Sequence, residues 1–297
     1  MDKWDGKSKG SPLGYRIFIG LMKLSGPGFV YAVMGFVAFF YFIFSDKKGI
    51  NYYFKEIQSQ QGIKRYSSIF RTYKLFGQTL IDRIALMSGI WNHFTFDFDG
   101  EDYIRTIAAE GNGGVLVGAH IGNWEIAGHL LKRINKKVHV LMFDGENPAI
   151  KSITDDLKEE NPVQFIYIKQ DISHLLAIKE ALENGDLIAM HGDRYMEDNQ
   201  VIECDFMGKK AKFPLGPYSI ALKFNAPLIY VTALKESKSH YYFNATPPFY
   251  TSKITKPKEK RLRMKELASE YVTYQEQQLK KAPHQWFNFY QFWNINQ

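Results

Sequence analysis

Cysteine is nearly missing: Cys204 is the only one in 297 residues. That excludes a disulfide framework and any cluster of thiolate metal ligands, and it suits a reducing compartment. The one Gly-x-Ser-x-Gly match, Gly6 to Gly10, lies in a charged N-terminal stretch with no apolar strand before it, and Cys204 lies in no nucleophilic setting, so a covalent acyl-enzyme has no well-placed nucleophile. Signatures of helix-turn-helix, zinc-finger and RNP modules are missing as well. Internal repeats and low-complexity tracts are lacking. A mean hydropathy of −0.30 excludes a polytopic membrane protein.

What is present is apolar, aromatic and mildly basic. Hydrophobic residues make up 45% of the chain, enough for a folded core rather than a disordered one. Phe (23) and Tyr (18) far outnumber Trp (5), which lifts the aromatic share to 15%. Lys and Arg (38) exceed Asp and Glu (31), leaving a formal charge of +7 that favours an acidic partner. Nucleic acid, an anionic membrane, an acidic carrier protein and a phosphorylated substrate all meet that description. The basic residues are scattered and carry no nucleic-acid signature, so a nucleic-acid partner is not expected.

One run stands out near the N-terminus. Residues 24–45 carry no charge, and their core "GFVYAVMGFVAFFYFIF" approaches the roughly 20 apolar residues that span a hydrocarbon core. No small-x-small cleavage pattern follows, which argues against a secretory signal. The run fits a membrane anchor, spanning or interfacial, with Tyr and Phe at headgroup level; a buried core helix is the alternative. Residues 1–50 are therefore expected to form an anchor segment and residues 51–297 one α/β domain.

Beyond the anchor, residues 51–91 show helical spacing through Tyr53, Ile57, Ile69, Tyr73, Phe76, Leu80 and Ile84. Short apolar runs then alternate with helical stretches. "GGVLVGAH", "KVHVLMF", "VQFIYI", "DLIAMHGD" and "APLIYVTAL" read as strands, and "HYYFNATPPFY" as an edge strand closed by Pro247 and Pro248. Helices are expected over residues 123–134, 148–159, 173–185 and 216–225, with a last one running through Leu279. This alternation predicts a mainly parallel central sheet flanked by helices.

The chemistry concentrates in "GAHIGNWEIAG". His120 ends a buried strand, Gly122 permits a tight turn, Asn123 can cap the next helix, and Glu125 falls in its first turns. The carboxyl edge of a parallel sheet is where ligand crevices form. A carboxylate beside an imidazole fixes its tautomer and leaves the other nitrogen as general base. Asp193 and Arg194 end a later strand on the same expected edge, where Arg194 can clamp negative charge. Residues 213–217 precede a helix and can line a channel, with Phe213 on its wall and Gly216 allowing close backbone approach. Glu125, His129, His191 and Asp193 also permit a metal-dependent hydrolase, although no compact metal-ligand spacing appears.

The segment "HIGNWE" after an apolar strand resembles the His-x4-Glu motif of the lysophospholipid acyltransferase superfamily, and more narrowly its lipid A biosynthesis (late) acyltransferase branch. "ENPAI", "LENGDLIAMHGDR", "CDFMGKKAKFPLGPYSIALKFNAPLIYV" and "APHQWFNFYQFW" follow in that branch's order. The resemblance implies His120 as general base and Glu125 as its orienting partner; Asn123, Asp193, Arg194, Phe213 and Gly216, placed around the same edge, are the expected substrate-binding residues. It implies no metal and no cofactor. The donor would be a thioester of acyl carrier protein or coenzyme A, the acceptor a lipid or glycolipid, and the location the cytoplasmic face of a bacterial inner membrane. Two departures stand out: Phe143 and Asp144 replace the branch's Arg-Pro, and Asp193-Arg194 its Asp-Gln. They suggest an acceptor headgroup other than a bis-phosphorylated lipid A precursor. The opening "KWDGKSKGSPLGYRIF" also resembles divergent acyltransferases of aryl-polyene and flexirubin-type pigment clusters.

Overall fold

A computed structural model describes residues 20–22, 24–25, 27–87, 89, 94–124, 126, 134, 136–143, 163–169, 171–196 and 200–293. Helix α1 (Pro27–Phe44) starts on a proline, whose missing N–H costs nothing in the first turn. Val30, Tyr31, Met34 and Ala38 form its buried stripe. A short helix α2 (Lys48–Tyr52) and a π-helical turn (Tyr53–Ile57) follow, then the long helix α3 (Gly62–Met87). Among the described residues no single helix is long and apolar enough to cross a membrane. The pair Gly28–Phe44 and Lys48–Ile57 meets that length and composition together, but bends by 89°.

The described strands build a seven-stranded mixed sheet. Its members are β1 (Thr95–Asp99), β2 (Gly114–Gly118), β3 (Val138–Phe143), β4 (Val163–Ile168), β5 (Leu187–His191), β8 (Leu228–Lys235) and β9 (His240–Ala245). The order is β1-β9-β8-β2-β5-β3-β4. Strands β8, β2, β5, β3 and β4 run parallel, whereas β9 is antiparallel to β8. Strand β2 is buried along its whole length, as a central parallel strand covered on both faces must be. Its side chains alternate. Val115 and Val117 join a core with α5 (Ser173–Glu183), α6 (Gly216–Phe224) and α7 (Pro257–Lys281), while Leu116 faces α4 (Glu101–Ala109) through Ile104 and Ile107.

The expected α/β architecture is present, with two differences. Strand β9 is not at the edge, because β1 pairs with it in parallel from Thr95↔His240 to Asp99↔Asn244. A separate hairpin, β6 (Val201–Phe206) and β7 (Lys209–Pro214), turns at Met207 and Gly208, both with positive φ (53° and 81°). That geometry matches the twist of antiparallel strands. Most of the helices expected over residues 123–134 and 148–159 lie outside the described residues. The aromatic tail packs into the core, where Trp286, Phe292 and Trp293 surround Phe206 and Tyr53 stacks on Trp293.

Candidate active site

Strands β2 and β5 are neighbours in register, with Gly118 opposite His191. Their carboxyl ends therefore deliver His120 and the segment from His191 to Arg194 to one spot. The His120 N–H donates to Asp193 Oδ2 (2.9 Å), and His120 Nδ1 lies 2.8 Å from Asp193 Oδ1. The Trp286 indole donates to Oδ2 at 3.4 Å, and the Tyr290 hydroxyl to the Asp193 carbonyl at 3.1 Å. The His191 ring sits 4.1 Å from the His120 ring, with the Trp124 ring edge-on at 4.6 Å.

The electrostatics follow from burial and these contacts. Burial raises the Asp193 carboxyl, but the His120 contacts, His191 and Arg194 outweigh it and hold Asp193 well below the ordinary carboxylate value. Burial lowers His120, the Arg194 charge lowers it further, and Asp193 offsets part of that. His191 is pushed well below its ordinary value by burial and then by His120. An ionised carboxylate only accepts, so His120 Nδ1 carries the proton and Nε2 the lone pair.

The turn after His120 is fixed by backbone contacts. Gly122 has φ +69°, and a Cβ there would lie 2.0 Å from the Ala233 oxygen, so glycine is required. Its N–H donates to the Gln285 carbonyl (2.8 Å), that of Asn123 to Ala233 (2.7 Å), and that of Phe287 to His120 (2.8 Å).

A cavity of about 370 Å³ opens beside His120. Val140, Met142, Ile168, Met190, Leu215 and Pro217 give it an apolar wall; His120, His191, Arg194 and Thr232 supply polar groups. Of the residues expected here, His120, Arg194 and Gly216 line the cavity. Asp193 is buried against His120. Phe213 is buried in an aromatic cluster with Phe206, Tyr271 and Phe292. The Asn123 amide turns to α3, donating to the Thr79 carbonyl (3.0 Å) and to Tyr241 Oη (3.3 Å) while its oxygen caps Ile126 N–H (3.4 Å). Glu125 and His129 lie outside the described residues. Arg194 donates to the Phe287 carbonyl at 3.1 Å. The tail residues Trp286 and Tyr290 are site neighbours that spacing alone does not reveal, whereas His191, expected with Asp193 as a candidate metal ligand, lies against His120. "MHGDR" is the local signal for His191, two residues before Asp193.

Residues 60–294 match the profile of the bacterial lipid A biosynthesis acyltransferases. The chain belongs to that family. It is similar to a phosphatidylinositol mannoside acyltransferase of Mycobacterium tuberculosis, 24% identical over 143 residues, which is 44% of this chain and 41% of that relative. A solved structure of the 1-acyl-sn-glycerophosphate acyltransferase PlsC from Thermotoga maritima aligns with 84% of this chain and 98% of its own, at 14% identity and a TM-score of 0.40. In this member of the lipid A acyltransferase family His120 and Asp193 meet at one sheet edge, beside an apolar cavity.

Proposed function

We propose that the protein is a membrane-associated acyltransferase that moves a fatty-acyl group from a thioester to a hydroxyl of a lipid or glycolipid. The observation that carries this is the Asp193–His120 pair on the rim of an apolar cavity. His120 Nε2 takes the proton of the acceptor hydroxyl as its oxygen attacks the thioester carbonyl. The tetrahedral oxyanion collapses, the C–S bond breaks, and the imidazolium returns the proton to the leaving thiolate. Ester and thiol are the products, and no covalent enzyme intermediate forms. Asp193 holds the His120 tautomer and steadies the imidazolium, the orienting part expected of Glu125. Arg194 offers positive charge to the oxyanion or to phosphate groups on the donor.

The donor is a thioester of acyl carrier protein or coenzyme A, both acidic and suited to a chain of charge +7. The exposed face of α1 seats the enzyme on the cytoplasmic face of a bacterial inner membrane, where such thioesters are available. The acceptor is a lipid or glycolipid, with an aryl-polyene-type pigment lipid or an amino-lipid as the alternative. Comparative lipid mass spectrometry of a deletion strain and its complement identifies it as the species one acyl chain lighter in the deletion. His120→Ala is expected to fold, bind membrane and lose transfer; full transfer by that variant would overturn the mechanism.

One observation favours a second reading. His120, His191 and Asp193 offer ligand atoms within 4.8 Å of one another, a set able to hold a divalent metal in a hydrolase. Stoichiometric zinc or manganese in purified protein, with hydrolysis that chelators abolish, would select it.

A further inference from the structure

Beneath the catalytic turn lies a buried ion pair that the proposed chemistry does not use. Asp82 of α3 and Lys235 at the end of β8 have side chains only 0% and 3% exposed. Asp82 accepts hydrogen bonds from Lys235 Nζ and from the hydroxyls of Tyr31 and Tyr241. Lys235 Nζ also donates to the Lys238 carbonyl at 2.8 Å. Such a pair is weak evidence for stability, since apolar residues of similar volume often do as well; fixing register is its best-attested use.

Its contacts lead to the turn by two routes. The Tyr241 hydroxyl, bound to Asp82, accepts from Asn123 Nδ2 at 3.3 Å, and the same amide reaches the Thr79 carbonyl of α3 at 3.0 Å. From the other side, Gln285 makes two hydrogen bonds of 2.8 Å with the Lys235 backbone, while its own carbonyl receives the Gly122 N–H. Asn123 is followed directly by Trp124, whose ring meets His191, which in turn meets His120. Around Asp82, α3 presents Ile81, Ile84 and Ala85, an apolar surface with no register of its own.

We infer that Asp82 and Lys235 are positioning residues that set α3 against the catalytic turn through Tyr241 and Asn123, and so hold His120 at its working distance from substrate. This rests on the function proposed above.

Two single-hydroxyl deletions test it in the full-length protein. Tyr31→Phe and Tyr241→Phe each remove one hydrogen bond to Asp82 and keep the ring, but only the Tyr241 hydroxyl touches Asn123. The assay reads thiol released from palmitoyl-coenzyme A in the presence of a lipid extract of the deletion strain, with thermal midpoints alongside. Both variants are expected to lose similar thermal stability. Tyr241→Phe alone is expected to lose about tenfold in kcat, because sub-ångström placement governs rate. Its KM for the thioester and the pH of its acid limb should stay at wild-type values, since the cavity and the Asp193 contact are untouched. Should Tyr241→Phe fail to fold, Asn123→Ala, which leaves the ion pair intact, carries the same expectation. Wild-type kcat in Tyr241→Phe, or an equal loss in Tyr31→Phe, overturns the positioning role. His120→Ala run beside them separates the failures: full turnover there refutes the proposed function and the positioning role with it, whereas a dead His120→Ala beside a fully active Tyr241→Phe refutes only the positioning.

Discussion

At the scale of single residues, the Asp193 carboxylate has all of its geometry committed. One oxygen takes the Nδ1–H of His120, and the other takes the His120 backbone N–H and the Trp286 indole. An asparagine at 193 can offer its oxygen to Nδ1 only by turning its amide against the His120 N–H, two donors face to face. Asp193→Asn is therefore expected to lower kcat by about 100-fold or more, within the range general-base catalysis supplies, with KM for the thioester nearly unchanged. Arg194 makes a second prediction. A cation beside an imidazole disfavours its protonated form, so Arg194 lowers His120 after the larger effect of burial. Since the proposed base works neutral, kcat/KM should rise with pH along a limb centred below the ordinary histidine value of about 6.5. Arg194→Gln removes the cation, so the limb should move to higher pH; a limb that stays put or moves down would exclude this electrostatic role. Placing His120 and Asp193 on one sheet edge is legible in the sequence, because both follow apolar strand-like runs. Their direct contact across 73 residues is not, because it depends on the β2–β5 register and on how each chain turns past its strand end.

At the scale of elements, α1 carries two unlike faces. Val30, Tyr31, Met34 and Ala38 are buried, whereas Phe36, Phe40 and Phe44, spaced by four, are 74%, 54% and 70% exposed. Rings in that row form an apolar surface of the kind that enters a headgroup boundary, with Lys47 and Lys48 just beyond its end. Phe36→Glu with Phe40→Glu is expected to abolish cosedimentation with anionic vesicles while leaving the thermal midpoint in detergent-free buffer unchanged. Retained vesicle binding would exclude this face as the seat. The apolar run that makes α1 was plain in the sequence, as were the strands whose residues are buried on both faces. Strand β1 was not. "TFDFD" alternates only over five residues, with exposed Thr95, Asp97 and Asp99 around Phe96 and Phe98, and its pairing partner lies more than 140 residues away. The β6–β7 hairpin was hidden for a different reason: its turn puts Met207, a residue that rarely takes positive φ, where Asn or Asp is usual.

At the scale of the whole molecule, the N-terminal helices, the sheet and the C-terminal tail close on one another around partly buried imidazoles. Trp286 bridges to Ile121, Tyr53 packs on Trp286 and Trp293, and His284 stacks on Phe54. His120, His191 and His284 are all lowered, each chiefly by burial. The native state therefore refuses protons that the unfolded chain accepts at about pH 6.5. Stability rises with pH wherever the unfolded state binds more protons, so through these three imidazoles acidification from pH 7.5 to 5.5 costs folding free energy. Asp193 has the opposite arrangement for a carboxyl. Its contribution is complete above the unfolded value of about 3.9 and is lost only below it, so it adds no slope within this window. The thermal midpoint of the wild type is expected to fall on acidification over that range. His191→Gln removes the group lowered well below its ordinary value and should flatten the fall. An undiminished fall in that variant would assign the pH dependence to other groups and leave His191 without a share in it.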